Sequence, residues 1–270
     1  MEQGNLVDDY LDLLKKTLTA SIFDQSRWRP YDGGNSRLKQ WIVKLLGTRG
    51  FAVLKKSGFS REDVIDGKIW SELGFTMVGM HRLNNVQFCV EDVLRRKVPG
   101  DLVETGVWKG GASIFMRGLL RAYGDQDRRV WAADSFEGLP TPKDADDGAD
   151  LSEVQALKIS LERVEDHFRR FNLLDDRVRF LKGWFADTLP TAPIDRIAVL
   201  RLDGDLYSST IDALQSLYGK VSPGGYVIVD DYYSWESCKR AVHDFLDARG
   251  EVVEIRKVDW TGAYWQVPGL

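Results

Sequence analysis

Two apolar runs in the second half of the chain each end in aspartate. The first begins at Ile197 and leads to Asp203, and the second begins at Tyr226 and leads to the pair Asp230-Asp231. Short apolar runs of this kind are typical of buried strands in a parallel sheet. The interval between them holds one helix and one strand, so the two strand ends are predicted to lie side by side. Open α/β sheets bind their ligands at that edge.

These three aspartates form a candidate metal site. Carboxylate oxygens are the ligands that Mg²⁺ prefers, with water or substrate hydroxyls completing an octahedron. The alternative, that the acids only cap helices and loops, stays open at this point. Asp205 is interpreted as a structural residue that bonds the start of the next helix. That helix is expected to be capped near Ser208 or Ser209.

Alternation of strand and helix begins near residue 100 and predicts βαβ units. A strand at Leu102-Val103 leads into a glycine-rich turn, and a helix over 112–123 follows. The next strand, Val130–Asp134, ends in an acid roughly 20 residues beyond that turn, where a carboxylate suits the ribose of a nucleoside cofactor. Gly106, Gly110, Gly111 and Asp134 therefore predict a nucleoside-containing cofactor.

The glycine turn also indicates which cofactor binds. A dinucleotide loop has the spacing G-x-G-x-x-G, whereas Gly106-x-x-x-Gly110-Gly111 encloses the bulky Trp108. Glu104 precedes the turn and would repel a pyrophosphate, but it suits the positive charge of S-adenosylmethionine. The pattern resembles motif I of class I methyltransferases. An NAD-type oxidoreductase on a doubly wound sheet, and a non-catalytic binding protein with a methyltransferase fold, are the two alternatives.

The remaining segments fit the same α/β fold. Residues 137–151 are expected to be a loop that could close over the site, followed by a helix over 152–171 with His167 exposed. A strand over 178–181 leads to Gly183 and Trp184, which could flank an adenine ring. A terminal hairpin, with strands over 252–255 and 263–267, predicts the antiparallel last strand of a class I methyltransferase. No role is assigned to His81 or His243.

The first third of the chain lacks strand–helix alternation. Residues 6–20 and 36–56 are predicted to be helical, the second helix with an interruption at Gly47. We divide the chain into a helical cap, lid and oligomerisation region over residues 1–85 and a catalytic domain over residues 86–270.

Composition limits the partners and the compartment. The formal net charge is −4, which argues against nucleic acid as a partner. The polar N-terminus has no apolar signal-peptide core, and no apolar run reaches the length of a membrane helix. The chain is therefore expected to be cytoplasmic, without a membrane partner.

Across residues 76–270 the sequence resembles the macrocin and novobiocin-type sugar O-methyltransferases of antibiotic biosynthesis. The resemblance rests on five motifs: Glu104-Thr105-Gly106-Val107-Trp108, Ala133-Asp134-Ser135-Phe136-Glu137-Gly138-Leu139-Pro140, Leu181-Lys182-Gly183-Trp184-Phe185, Leu200-Arg201-Leu202-Asp203-Gly204-Asp205 and Val229-Asp230-Asp231-Tyr232. It implies a class I methyltransferase fold, a seven-stranded and mostly parallel sheet with an antiparallel last strand. It also implies methyl transfer to a sugar hydroxyl of a glycosylated natural product or of its activated sugar precursor.

The resemblance further implies S-adenosylmethionine and Mg²⁺ as cofactors and a homodimer or higher homo-oligomer. It assigns the metal to Asp203, Asp230 and Asp231, and makes Asp203 the catalytic carboxylate. Catechol-type enzymes carry a lysine three positions after the first metal aspartate, but this chain has Leu206 there, so the general base stays open. The residues implied to bind S-adenosylmethionine are Glu104, Thr105, Gly106, Trp108, Ser113, Asp134, Ser135, Gly183, Trp184 and Asp203.

Overall fold

The computed structural model describes residues 3–23, 28–56 and 60–269, and every structural statement refers to these residues. Parts of the predicted cap, residues 1–2, 24–27 and 57–59, lie outside them. The helices of the first hundred residues are α1 (Gln3–Leu18), α2 (Arg37–Gly47), α3 (Arg61–Ile65) and α4 (Met80–Arg95). Two short strands, β1 (Trp28–Pro30) and β2 (Leu54–Lys56), pair antiparallel. The helix predicted over 36–56 thus ends at Gly47, and its last part is strand.

A seven-stranded sheet forms the centre of the molecule. Its strands are β3 (Asp101–Thr105), β4 (Val130–Asp134), β5 (Val178–Lys182), β6 (Ile197–Leu202), β7 (Val221–Val229), β8 (Arg256–Lys257) and β9 (Ala263–Gln266). Their order is β5-β4-β3-β6-β7-β9-β8, with β9 antiparallel to both of its neighbours. This confirms the predicted α/β fold with an antiparallel last strand.

Helices cover both faces of the sheet. The further helices are α5 (Gly111–Ala122), α6 (Leu161–Arg170), α7 (Phe185–Thr188), α8 (Tyr207–Leu217) and α9 (Glu236–Arg249). Leu102 of β3 packs into the cluster that holds α1, α4, α5 and α6, whereas its neighbour Val103 packs into the cluster of α8 and α9. Successive residues of a strand face opposite sides, so a strand covered on both sides is apolar throughout.

The N-terminal region shares this core. Leu11, Leu14 and Leu18 of α1 lie in the same hydrophobic cluster as α4 and α5. The boundary that we placed between residues 85 and 86 falls within α4, which begins at Met80. The division into cap and catalytic domain stays a prediction.

The chain order places the functional edge at the centre of the sheet. From β3 the chain moves outward through β4 and β5, and then returns to β6 on the other side of β3. A crevice opens where the strand order reverses in this way. At this edge Gly106 lies so close to Asp203 that an added Cβ would come within 1.7 Å of the Asp203 carbonyl oxygen.

Three expectations about local structure were wrong. The helix over 152–171 begins only at Leu161, where Ser160 accepts a hydrogen bond from the Arg163 amide. The strand expected to begin at Tyr226 is β7, which begins earlier, at Val221. The strand expected at 252–255 is instead β8. Gly250, at φ 64°, forms the C-cap of α9. Among the described helices none is both long and apolar enough to cross a membrane.

Candidate active site

The three aspartates predicted at the sheet edge do lie together. Leu202 and Val229 are register partners in β6 and β7, so the residues that follow them are neighbours. One carboxylate oxygen each from Asp203, Asp230 and Asp231 lies within 4.8 Å of the other two. Asp230 and Asp231 are buried, whereas the Asp203 side chain keeps 30% of its surface exposed.

A buried arginine joins this cluster to the glycine turn. Arg201 points from β6 with only 1% of its side chain exposed. Its Nη1 donates to Glu104 Oε1 at 2.6 Å and to Asp203 Oδ2 at 2.8 Å, and its Nη2 donates to Asp230 Oδ1 at 2.5 Å. One guanidinium therefore fixes the orientation of three carboxylates on three neighbouring strand ends.

A second arginine comes from α4. Arg82 donates to Asp230 Oδ2, and its Nε donates to Asp259 Oδ2 at 3.1 Å. Burial opposes the ionisation of Asp230, but the guanidiniums of Arg201 and Arg82 hold its pKa below the ordinary aspartate value. Asp230 is consequently the charge-compensated member of the cluster.

Asp231 and the neighbouring Asp205 have no arginine partner among the described contacts. Burial, together with the charges of Asp205 and Asp203, raises the pKa of Asp231 well above its usual value. Burial, together with the charges of Asp203 and Asp230, raises the pKa of Asp205 to about 7. Asp231 Oδ2 has no hydrogen-bond partner among the described residues. A buried oxygen without a partner, among carboxylates that repel one another, fits a divalent cation with oxygen ligands.

The glycine turn is held by the acid that was predicted to bind ribose. Asp134 Oδ2 accepts from the Val107 amide at 2.6 Å, and Oδ1 accepts from the Phe136 amide at 2.7 Å. Gly106 and Trp108 have φ values of 89° and 48°, and Asp134 stabilises this left-handed turn. The Trp108 amide and the Ser135 hydroxyl also donate to Asp134, each over a longer distance of 3.4 Å, so all of its roughly four acceptor positions face protein donors.

Glu104 lies on the cavity wall with 1% of its surface exposed, and both of its carboxylate oxygens accept hydrogen bonds from protein side chains. Its second oxygen accepts from Ser113 Oγ, and the first accepts from Arg201. Burial raises the pKa of Glu104 to about 7 even though Arg201 lies beside it. Arg201 therefore offsets only part of the cost of burying the Glu104 charge.

A cavity of about 630 Å³ joins the glycine turn to the carboxylate cluster. Gly106, Trp108 and Asp134 line one part, and Asp203 and Asp231 line another. Tryptophans from separate segments complete its wall: Trp70, Trp184, Trp235 and Trp260. The volume falls in the range of small-molecule sites, and the wall combines aromatic surface with a few polar groups.

Comparison with known proteins identifies the family. The family model described as macrocin-O-methyltransferase (TylF) matches residues 7–267. The chain belongs to the macrocin O-methyltransferase family. Its methyltransferase assignment is thereby confirmed over the oxidoreductase alternative, and S-adenosylmethionine is the methyl donor that this family and fold imply.

Two curated relatives match this chain along nearly their full lengths. The 8-demethyl-8-(2,3-dimethoxy-alpha-L-rhamnosyl)-tetracenomycin-C 4'-O-methyltransferase of Streptomyces olivaceus is 47% identical, over 96% of this chain and 92% of the relative. The mycinamicin III 3''-O-methyltransferase of Micromonospora griseorubida is 43% identical, over 98% and 99%.

Two solved methyltransferase structures resemble this chain. The O-methyltransferase NovP superposes with a TM-score of 0.81 at 43% identity, covering 97% of this chain and 100% of that one. The calicheamicin methyltransferase CalS11, at 19% identity and a TM-score of 0.55, covers 86% of this chain and 93% of that one. The second comparison concerns the fold alone.

The structure brings most of the implied site residues to one cavity. Those on its wall are Glu104, Gly106, Trp108, Asp134, Ser135, Trp184, Asp203, Asp230 and Asp231. Thr105, Ser113 and Gly183 are not among the described residues of this wall. Thr105 and Ser113 are fully buried behind it.

Three residues at or near the site have roles that the sequence does not predict. Arg201 was passed over, although a charged residue inside an apolar strand signals a buried ion pair. Asp205 does not cap α8, because the Ser208 amide donates to Asp147 instead. His167 was expected to be exposed, but it is buried, with Nδ1 2.9 Å from the Lys109 carbonyl oxygen. A carbonyl oxygen only accepts, so this ring nitrogen carries a proton.

The two histidines without an assigned role lie apart from the cavity wall. His243 Nε2 is 2.7 Å from the Tyr232 hydroxyl, and His81 Nε2 is 3.3 Å from Asp66 Oδ1. Neither histidine is among the described residues that line the cavity.

Proposed function

We propose that this enzyme transfers a methyl group from S-adenosylmethionine to a sugar hydroxyl of a glycosylated natural product, with Mg²⁺ at Asp203, Asp230 and Asp231. The observation that carries the proposal is that the carboxylate cluster opens into the same cavity as the glycine turn. A methyl donor on one side and a metal-held hydroxyl on the other would then meet within one enclosed space. The relatives named above methylate, by their names, a rhamnosyl tetracenomycin and a mycinamicin.

The glycine-turn side of the cavity suits the cofactor. Asp134 would accept from the ribose hydroxyls in place of its two longer contacts, those with the Trp108 amide and the Ser135 hydroxyl at 3.4 Å. The half-exposed Trp184 would stack on the adenine. Gly106, Trp108 and Ser135 would contact the cofactor directly. The residues behind the wall, Thr105, Ser113 and Gly183, would support it through Glu104 and the backbone.

Asp203 is the proposed proton acceptor. Bound Mg²⁺ would lower the pKa of a coordinated hydroxyl. Arg201 holds one oxygen of Asp203, and the exposed part of the side chain is available to take the proton from the attacking hydroxyl. Burial raises the pKa of Asp203, which makes it a stronger base than an exposed aspartate.

The charges on the cavity wall favour a finished glycoside over a nucleotide-activated sugar. A sugar nucleotide carries a pyrophosphate, which requires cations with free donors. Of the basic residues described on the wall, Arg82 is paired with Asp230 and Asp259, and Lys68 is paired with Asp66. The remaining one, Lys143, lies exposed on a loop, where an ion pair with a phosphate would contribute little. The tryptophan wall is better suited to an apolar aglycone and to the C–H face of a sugar.

The cap region is proposed to mediate self-association. Every residue of α2 remains at least partly exposed, and its Leu38 and Trp41 are 67% and 60% exposed. A largely exposed helix of 11 residues gains little stability from its own backbone, so a homodimer or larger homo-oligomer would cover this face. Light scattering on the purified protein tests this, and a monomer at all concentrations would contradict it.

The substrate assay uses S-adenosylmethionine with a labelled methyl group. The enzyme is incubated with a panel of glycosides that have apolar aglycones and, separately, with nucleoside-diphosphate sugars. Label should appear on a glycoside, with S-adenosylhomocysteine formed in equal amount. Transfer to the nucleotide sugars alone would overturn the glycoside assignment. If the enzyme binds the cofactor but labels neither panel, the sugar assignment is overturned.

A further inference from the structure

Residues 138–157 form a strap across the cavity. Residues from both halves of the strap line the wall, among them Leu139, Thr141, Leu151 and Val154. Both ends of the strap are tied to the cofactor side. Ser135 Oγ donates to the Gly138 carbonyl at 2.7 Å, and Trp108 Nε1 donates to the Ala156 carbonyl at 2.8 Å.

The middle of the strap is tied to the opposite side of the cavity by Asp147. Of residues 138–157, all of which the structure describes, Asp147 is the one that is buried, with 4% of its surface exposed. Its neighbours in this acidic stretch, such as Asp144, Asp146 and Asp150, are exposed. A single buried carboxylate in an exposed acidic loop requires specific partners.

Those partners are at the start of α8. Asp147 Oδ1 accepts from the Ser208 amide at 2.6 Å, and Oδ2 accepts from Ser208 Oγ at 2.9 Å and from the Lys143 amide at 2.9 Å. The Asp147 carbonyl accepts from the Tyr207 amide at 2.9 Å. Leu206, at the N-cap of α8, has no side-chain acceptor, so Asp147 supplies from a distant loop the cap that the helix itself lacks.

Residues on either side of Asp147 also contact α8 and α9. An added Cβ on Gly148 would come within 2.8 Å of Leu206 Cδ2, so the strap lies directly against the N-cap residue. Arg240 of α9 donates to the Asp146 carbonyl at 2.5 Å. The start of α8 follows Asp203 and Asp205 immediately, and Ser208 lines the cavity itself. The closed strap and the geometry of the carboxylate edge are therefore fixed by the same residue.

We propose that Asp147 is a positioning residue for methyl transfer: it holds the strap closed over the cofactor and fixes the start of α8 beside the carboxylate cluster. Cofactor and product leave the cavity when the Asp147–Ser208 contact opens. The inference rests on the proposed function only in that the cavity holds S-adenosylmethionine.

The test compares Asp147→Ala with Asp150→Ala, a matched control in the same strap. Asp150 is exposed and bonds only within the strap in the contacts described, to the amide and hydroxyl of Ser152. Dissociation of S-adenosylhomocysteine is followed by stopped-flow tryptophan fluorescence, and cleavage after Lys143 by limited trypsin digestion. Loss of several hydrogen bonds to one carboxylate should accelerate both processes about tenfold or more in Asp147→Ala. Asp147→Asn, which keeps one acceptor, should be intermediate, and Asp150→Ala should match the wild type.

Steady-state kinetics separates positioning from general stability. Asp147→Ala should raise KM for the glycoside more than it lowers kcat, because the reacting groups themselves are unchanged. Wild-type dissociation and digestion rates in a folded Asp147→Ala protein would overturn the inference. If that variant does not fold, Ser208→Ala should still accelerate digestion, and an unchanged rate there would overturn it. Absence of cofactor binding to the wild type would overturn the proposed function, while the digestion result would still decide the role of Asp147.

Discussion

Replacing Arg201 with methionine should be among the most damaging single changes in this chain. The Arg201 side chain is 1% exposed and contacts the carboxylates of Glu104, Asp203 and Asp230. Among the described contacts, only Asp230 is also paired with another arginine, Arg82. Methionine fills a similar volume but leaves buried carboxylates without their cation. Breaking a buried ion pair from one side costs about 3–5 kcal/mol. For a protein of this size that lowers Tm by roughly 6–20 °C.

The assay is urea unfolding followed by tryptophan fluorescence, with Arg170→Met as the control. Arg170 pairs with Asp166 on the surface of α6, and its side chain is 65% exposed, so that exchange should change the unfolding free energy by less than about 1 kcal/mol. The Arg201→Met loss should be smaller near about pH 5.5 than near about pH 8, because Glu104, with its pKa raised to about 7, is protonated at the lower pH. A loss below about 1 kcal/mol at both pH values would refute the ion-pair reasoning.

Three further predictions concern the surroundings of the cofactor. Burial lowers the pKa of His167 in the folded protein. Its neutral ring therefore contributes stability that is complete above the unfolded pKa of about 6.5 and is lost as pH falls from that value through the lower folded pKa. His167→Gln should flatten the dependence of Tm on pH between about 7.5 and about 5.5, and an unchanged slope would contradict this. Gly106→Ala should abolish cofactor binding in calorimetry and lower Tm far more than the control Gly124→Ala. Both glycines have a positive φ, but a Cβ at Gly106 would collide with Asp203, whereas a Cβ at Gly124 would have open space around it. Equal effects would show that the contact with Asp203 does not matter. Trp184→Ala should weaken S-adenosylmethionine binding about tenfold or more through lost stacking, and unchanged affinity by calorimetry would remove Trp184 from the adenine site.

The carboxylate edge and the glycine turn were predictable because their signals are local. Apolar runs that end in Asp203 and Asp230, and a glycine turn followed by a strand ending in Asp134, need only strand periodicity and the rule that parallel strands end at one edge. The antiparallel last strand followed from the order of the final segments, although β8 itself lies a few residues later than expected.

The errors arise where tertiary contacts override local pattern. His167 has charged neighbours in sequence, but Phe75 of the N-terminal region packs edge-on against its ring at 4.9 Å and covers it. Pro223-Gly224-Gly225 has the composition of a turn. The structure instead keeps this stretch in β7, with an irregularity in its pairing to β6. The role of Asp147 depends on a loop and a helix some sixty residues apart, and periodicity within one segment contains no signal for such a contact.

The proposed methyl transfer depends most directly on Asp203. The decisive measurement is single-turnover methyl transfer by Asp203→Asn, with S-adenosylmethionine affinity measured on the same preparation by calorimetry and Mg²⁺ varied against a chelator. We expect the wild type to lose activity in the chelator and regain it with Mg²⁺, and we expect Asp203→Asn to bind the cofactor but transfer no methyl group at any Mg²⁺ concentration. Near-normal transfer by Asp203→Asn, or wild-type transfer that resists the chelator, would contradict the proposed site.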